Sequence, residues 1–570
     1  MNHSAWTPPK IALALVPTAL LGLLAVSVAQ PSYPEPLFIH TAYYFLLATV
    51  LCWAGAYFSA AREVRWETLR TWVKENWPGL VIALAVTLVA YFAVPPALRM
   101  LSDEAGLVGT SKNLWASKTA TYTVSGKYYF DSYWDIDVVV DRRPAMFPFL
   151  VSLLHVLLGY DVKHAFLLNL LVLPAFVLVA YRLAKSLGGE IFAIVAALLV
   201  VAHPITFLAV RSGGFDFLAA FFALLAVKSL LDHTRAPSPE RLAILWMNLC
   251  MFAEIRYESG LFIPPIVALL LLFRLVTWSH LRPFAFLYAL TPAFLMPRIW
   301  QAIVRGSVPE QEPGTVVFSF HNFVHNAGDF LKPILTPFAS QPAHSGIVIG
   351  LGALGCLLGL AWLVRRLRAR DFRDPSLRFA VFVATWIGVQ AFLVFTYVWG
   401  QAQHPASARL VLALDTFMAF PAAWVVARGL RNQRPWIAAL IAAAVVAFAV
   451  PVASQHRSLN RLTQTREAAT TWRFFESLHE KRIVIVADRP LHFTIMGYGA
   501  MDFASARRDP VIFEALRRGL FYDIYLVQQI NLKTGEPFPE YAIWPGHARR
   551  TMLEFQNDAN VMVRISRLEH

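Results

Sequence analysis

Residues 99 to 108 read RMLSDEAGLV and place an adjacent acidic pair, Asp103 and Glu104, directly after an apolar run long enough to cross a bilayer. Ionisable residues recur at the ends of other apolar runs: Arg142 and Arg143, Arg211 and Asp216, Arg256 and Glu258, and His404 with Arg409. The plain reading of any one of them is a solvated loop start. Taken together, such residues in or near hydrocarbon are costly, and a shared polar cavity is their default explanation. Guanidiniums hold a phosphate by bidentate, charge-assisted hydrogen bonds and stabilise the charge that grows on it as it leaves. A carboxylate beside them accepts the proton of an attacking group. This combination suits transfer of a sugar from a polyprenyl-phosphate donor, whose tail stays in the bilayer while phosphate and sugar sit at its edge.

The elements that must position these residues follow from composition. With 57% hydrophobic, 14% aromatic and only 15% charged residues, the chain is built for a membrane. Apolar runs of about 20 residues recur as far as residue 453 and predict about 13 transmembrane helices. Lys and Arg collect in alternate loops, most densely in RRLRARDFRDPSLR (365–378), and this bias predicts a cytoplasmic N-terminus. The formal charge of +14 is mostly this orientation signal, so no nucleic-acid partner is expected. The end of the first span, AVSVAQ, also has the small residues of a signal-peptide cleavage site, an alternative that leaves the later topology unchanged. Three cysteines, all inside apolar runs, provide no disulfide framework.

The organisation expected is a polytopic α-helical membrane domain over 1–453, with exterior loops at 99–161 and 304–343, and a small extracytoplasmic α/β domain over 454–570. PAMFPFLVSLLHVLLG is apolar but too short to span and reads as an interfacial helix. In the tail, KRIVIVAD, FYDIYLVQQI and NVMVRISRL read as strands and DPVIFEALRRGL as a helix.

The exit into SDEAGLVGTSKNL and the downstream RRPAMFPFLVSLLHVLLGY resemble the acidic pair and the basic, Pro-containing segment of class-C glycosyltransferases, especially the branch of protein O-mannosyltransferases and aminoarabinose transferases. HPITFLAVRSGGFDFLAAFF is similar to that branch's later segment, in which an Arg precedes an Asp that opens a span. The resemblance covers roughly residues 78 to 230. It implies Asp103 as catalytic base, Glu104 as a neighbour shaping the acceptor site, Asp216 as a cavity carboxylate, and Arg142 or Arg143 as a phosphate contact. Arg211, Arg256 and Arg409 are further candidates for the phosphate, and Glu258 and His404 for the cavity wall. Two spans precede the one that exits into the acidic loop, where the branch has a single preceding span. The partners implied are a polyprenyl-phosphate sugar, membrane lipid and an extracytoplasmic acceptor, at the plasma membrane of a bacterium or archaeon.

No cofactor is required by this chemistry, although a divalent metal is compatible with it. His321 and His325, spaced i, i+4 ahead of Asp329, are the weak metal candidates, against a plain polar helix. His203 and His404, each followed by Pro, are expected to cap a helix or line the cavity. Two other functions use similar residues: a lipid-linked glycan ligase or polymerase of the O-antigen ligase type, and a transporter or flippase for lipid-linked sugars. A transport path calls for charges deep within spans and for inverted repeats, and neither is visible here.

Overall fold

Proline and glycine cut the apolar runs into helices. The computed structural model describes residues 8–569 except 31, 63–64, 100, 130–131, 307–315, 337–342, 370–372, 405, 430–434, 455–462, 510, 513–522, 545 and 559. Three long helices come first, α1 (Pro8–Ala29), α2 (Pro34–Ala61) and α3 (Trp66–Ala93). The chain then leaves the bundle for α4 (Leu101–Ala116), strands β1 (Thr121–Tyr129) and β2 (Ser132–Val140), and α5 (Met146–Leu158). It returns as α6 (His164–Gly188), α7 (Glu190–Leu199), α8 (Pro204–Val210), α9 (Asp216–Arg235), α10 (Pro239–Ala253) and α11 (Ile263–Leu272). The short α12 (Trp278–Leu281) and α13 (Ala285–Ala289) lead to α14 (Thr291–Gly306) and α15 (Phe320–Leu335). The bundle closes with α16 (Gly346–Arg368), α17 (Pro375–Thr396), α18 (Leu412–Gly429) and α19 (Pro435–Ser454).

Among the described residues, eight helices are long and apolar enough to cross a membrane: α2, α3, α6, α9, α16, α17, α18 with its preceding turn, and α19. Counting α7 and α8 as one bent span makes nine, against the 13 expected. Part of the difference lies in α10, α11 and α14, which have 15, 10 and 16 residues and fall short of the length that spans hydrocarbon. The α7–α8 bend of 71° has a local cause. Pro204 disfavours helical backbone at the residue before it, and His203 is extended at φ −96°, ψ 128°. Gly189 makes the preceding turn with φ +83°, a conformation costly for any residue with a Cβ.

Helix α9 is central, with 78% of its apolar stretch inside the protein against 28% for α2. Leu51, Phe58, Leu84, Phe92 and Leu357 point outward instead, as apolar side chains do where the surrounding solvent is lipid. The 13-residue α5 matches the expected interfacial helix: it buries Phe147, Phe149 and Val151 and exposes Val156, Leu157 and Leu158.

The tail folds as α20 (Thr463–Leu478), β3 (Ile483–Ala487), α21 (Leu491–Thr494), β4 (Gly499–Met501), α22 (Phe503–Arg508), β5 (Asp523–Asn531), β6 (Arg549–Asp558) and β7 (Val561–Leu568). The three expected strands are present. The helix expected over 509–520 lies largely outside the described residues. Strand β3 is buried along its whole length, as a central parallel strand must be. Its alternate residues face two cores: Val484 and Val486 meet Ile524 and Leu526, while Ile483 and Ile485 meet Phe475 and Tyr525.

The sheet is not confined to the tail. Its order is β2-β1-β4-β3-β5-β7-β6, so the hairpin from the first loop continues it, with Gly126 opposite Ala500. Thr494 donates to the Thr123 carbonyl (2.7 Å), Lys112 to the Thr494 carbonyl (3.0 Å) and Tyr128 to the Gly497 carbonyl (3.0 Å). The tail therefore braces α4, the helix that carries the acidic pair. A chain ending at Ser454 should become protease-sensitive within 121–140 in nanodiscs, while the full chain stays protected there. Equal cleavage would show that the hairpin holds without the tail.

Candidate active site

Glu104 and Asp103 are adjacent on the first turn of α4, where the helix dipole favours carboxylates, yet they face different surroundings. Glu104 turns inward and is buried, accepting the backbone N–H of Arg99 (2.8 Å) and of Gly213 (3.0 Å). It thereby pins the exit of α3 to the Ser212–Phe215 link that leads into α9. Burial pushes its carboxyl up to about 7, against the pull of those two N–H groups and of Arg409.

Asp103 turns outward, with 34% of its side chain exposed, and bridges Arg143 (3.1 Å) and Arg409. Burial raises its carboxyl, but the two guanidiniums outweigh that and hold it below the ordinary carboxylate range. Arg143 reaches Asp103 across Gly106, where a Cβ would come within 2.5 Å of the guanidinium. Asp141 fixes the other edge of Arg143, accepting from its side chain (3.2 Å) and its backbone N–H (2.9 Å). Thr110 in turn donates to Asp141 at 2.6 Å. Burial works against the Arg143 charge, and the Asp141 and Asp103 carboxylates more than restore it.

From Asp103 the pairing continues. Arg409, in the turn before α18, also meets Asp216 (3.2 Å), which opens α9. Asp216 meets Arg256 (2.8 Å), and Arg256 meets Glu258 (2.8 Å). The result is an alternating series, Asp141, Arg143, Asp103, Arg409, Asp216, Arg256, Glu258, drawn from five separate segments of the chain.

Six of the twelve expected site residues are thus brought together in one line: Asp103, Asp216, Arg143, Arg256, Arg409 and Glu258. Glu104 lies behind it. Arg211 does not join: its Nε donates to the Val94 carbonyl (2.9 Å) and its guanidinium lies over Tyr91, locking the end of α3. Arg142 is half-buried, and its carbonyl accepts from Gln301. His404, expected in the cavity wall, is exposed and accepts the Ala406 N–H (3.3 Å) in its own turn. His321 and His325 are exposed on α15, while Asp329 is engaged by the Gln403 N–H (2.8 Å) and Lys332 (3.5 Å). The metal-compatible group among the described residues lies elsewhere, at His203, His344 and Asp415. His203 occupies the N-cap position of α8 but does not cap it through its side chain.

The sequence reading missed Asp141, although DRRP sets it beside the two arginines. It also missed Arg298 and Arg305, seven residues apart on α14 and so on one face, both lying over the Tyr257 ring.

Glu104 makes the site's stability depend on pH. Its proton is held more tightly in the folded chain than in the unfolded one, so its contribution is full below its ordinary value of 4.5 and fades as pH rises through about 7. Glu104→Gln keeps an oxygen acceptor and removes the titration. The melting temperature of the variant should therefore gain on the wild type between about pH 5 and about pH 8. A difference that stays constant over that range would show that Glu104 does not change protonation there.

Residues 142–300 match the dolichyl-phosphate-mannose-protein mannosyltransferase family. No curated protein matches the chain. The apo structure of ArnT from Cupriavidus metallidurans aligns with a TM-score of 0.50 at 14% identity, covering 85% of this chain and 97% of that one. The structure of the same ArnT bound to undecaprenyl phosphate aligns with a TM-score of 0.47 at 15% identity and the same coverage. The family match overlaps the segment that carried the resemblance and extends past its end at 230. The chain is a multi-pass membrane protein with a class-C glycosyltransferase fold, and its segment 142–300 carries the dolichyl-phosphate-mannose-protein mannosyltransferase signature.

Proposed function

We propose that this glycosyltransferase moves a sugar from a polyprenyl-phosphate donor to an extracytoplasmic acceptor by single displacement, with Asp103 as base. The observation that carries this reading is a carboxylate with 34% of its side chain exposed, held between two guanidiniums, Arg143 and Arg409, where the chain leaves the helix bundle after α3. Asp103 takes the proton of the acceptor's attacking group. That group bonds to the anomeric carbon as the bond from carbon to phosphate oxygen breaks, and polyprenyl phosphate leaves with the electron pair. Arg143 and Arg409 are the groups placed to receive the phosphate, and charge-assisted pairing to it is strongest as the charge develops. A phosphate leaves without protonation by an acid, so the series needs only one base.

Asp103→Asn should lower kcat by at least about 100-fold and leave binding of the polyprenyl-phosphate sugar within about threefold. Arg409→Gln should weaken that binding by about tenfold or more. The checks are transfer from radiolabelled donor and equilibrium binding in nanodiscs. More than about a tenth of the activity in Asp103→Asn would move the base elsewhere.

The site is proposed to face outward at the plasma membrane. Helix α16 begins beside His344 at the site's end of the bundle and finishes in Arg365, Arg366 and Arg368, about 34 Å away at 1.5 Å per residue. Those cations are placed in the cytoplasm by the positive-inside bias. Single cysteines at the exposed Ser132 and Thr534 should react in intact cells with an impermeant maleimide able to reach the exterior face, and one at the exposed Ser376 only after permeabilisation. Labelling of Ser132 and Ser376 from the same side would overturn the orientation.

A further inference from the structure

We propose that His203, His344 and Asp415 form a binding site for one divalent first-row transition ion of the zinc type. The three come from the α7–α8 break, the residue before the N-cap of α16 and the first turn of α18, and all are fully buried. One ligand atom from each lies within 4.8 Å of the others.

The contacts of His344 are those of a metal-binding histidine, one ring nitrogen on a backbone carbonyl and the other on a carboxylate. His344 Nε2 lies 2.9 Å from the Ala402 carbonyl, which makes it the donor and turns Nδ1 toward Asp415 Oδ2 at 2.7 Å. His203 Nδ1 lies 3.2 Å from the Ser345 N–H and 3.7 Å from Asp415 Oδ1, so it is the unprotonated ring nitrogen, and its one lone pair exchanges the Ser345 N–H for the ion when the site fills. Tetrahedral zinc with bonds of about 2.05 Å sets its ligand atoms about 3.3 Å apart. The two separations to Asp415 bracket that value.

A proton shared between His344 and Asp415 is the competing occupant, and it leaves polar atoms stranded. Asp415 Oδ1 and His203 Nε2 are buried without a hydrogen-bond partner among the described residues. A cation between the three groups engages Asp415 Oδ1 directly. Two imidazoles with one carboxylate favour zinc and its neighbours over magnesium or calcium. Bound there, the ion fastens the start of α18, six residues after Arg409, to α8, which leads into Asp216. These three residues are positioning residues, and the site stands whether or not the chain transfers sugar.

The test uses the full chain, purified in detergent through a tag without histidine and washed in metal-free buffer. Elemental analysis should find about one zinc per chain, falling below about 0.2 in His344→Ala and Asp415→Asn and unchanged in the His321→Ala, His325→Ala double variant. If the triad variants fail to fold, the chelated wild-type chain should bind Co²⁺ with the visible absorption of tetrahedral nitrogen and oxygen coordination, and zinc should displace it. A wild-type chain that neither retains zinc nor gives that Co²⁺ spectrum overturns the site, as does a folded His344→Ala that keeps full zinc.

Discussion

Four carboxylates alternating with three guanidiniums hold the site end of this bundle together. Moving any one of these charges out of water is expensive, and mutual attraction offsets that cost only where geometry and hydrogen bonds are good. The series meets this condition by giving each guanidinium two carboxylates. Because four of its six pairs join different segments, the series also fixes where α4, α9 and the turn before α18 lie relative to one another. Loss of one member leaves a buried neighbour under-compensated, so the effect of a substitution extends along the series.

Asp103 is the exception within the line. It is the most exposed of the carboxylates whose side chains pair there, and it sits where two arginines converge. Glu104, one residue away, has the opposite character. It is sealed from solvent, and its Oε2 accepts both the Arg99 and the Gly213 N–H, so it ties the α3 exit to the glycine link before α9. Two adjacent carboxylates thus divide into one that is reachable and one that is a fastener. The division follows from helical geometry, since consecutive residues point about 100° apart.

Much of this was legible in the sequence, for reasons that particular residues illustrate. Charged residues at the ends of apolar runs stand out because hydrocarbon tolerates so few of them, which is why Asp103, Asp216, Arg143, Arg256, Arg409 and Glu258 were all anticipated. What a linear reading cannot supply is the direction of a side chain. Arg211 and His404 have the right type and place, but one turns to a backbone carbonyl and the other to solvent. The buried His203, His344 and Asp415 were missed as a group because they lie more than 200 residues apart at their extremes and none belongs to a spacing motif. The hairpin at 121–140 is hidden within the exterior loop expected over 99–161, since its sheet partner β4 comes some 370 residues later.

The pairing of Asp103 bears on how a base of such low proton affinity can serve the proposed reaction. Between Arg143 and Arg409 its carboxylate is stabilised, and a stabilised carboxylate is a reluctant proton acceptor. A donor phosphodiester competes for the same two guanidiniums with equal charge, and its hold on them strengthens as the sugar departs and the phosphate becomes a dianion with a third free oxygen. As they turn to it, Asp103 loses part of the attraction that depressed its proton affinity, and its basicity rises when the acceptor has a sugar to attack. In this scheme the donor itself switches on the base. The idle site stays paired and unreactive toward water, and under the proposed reaction the same electrostatics call for donor before acceptor.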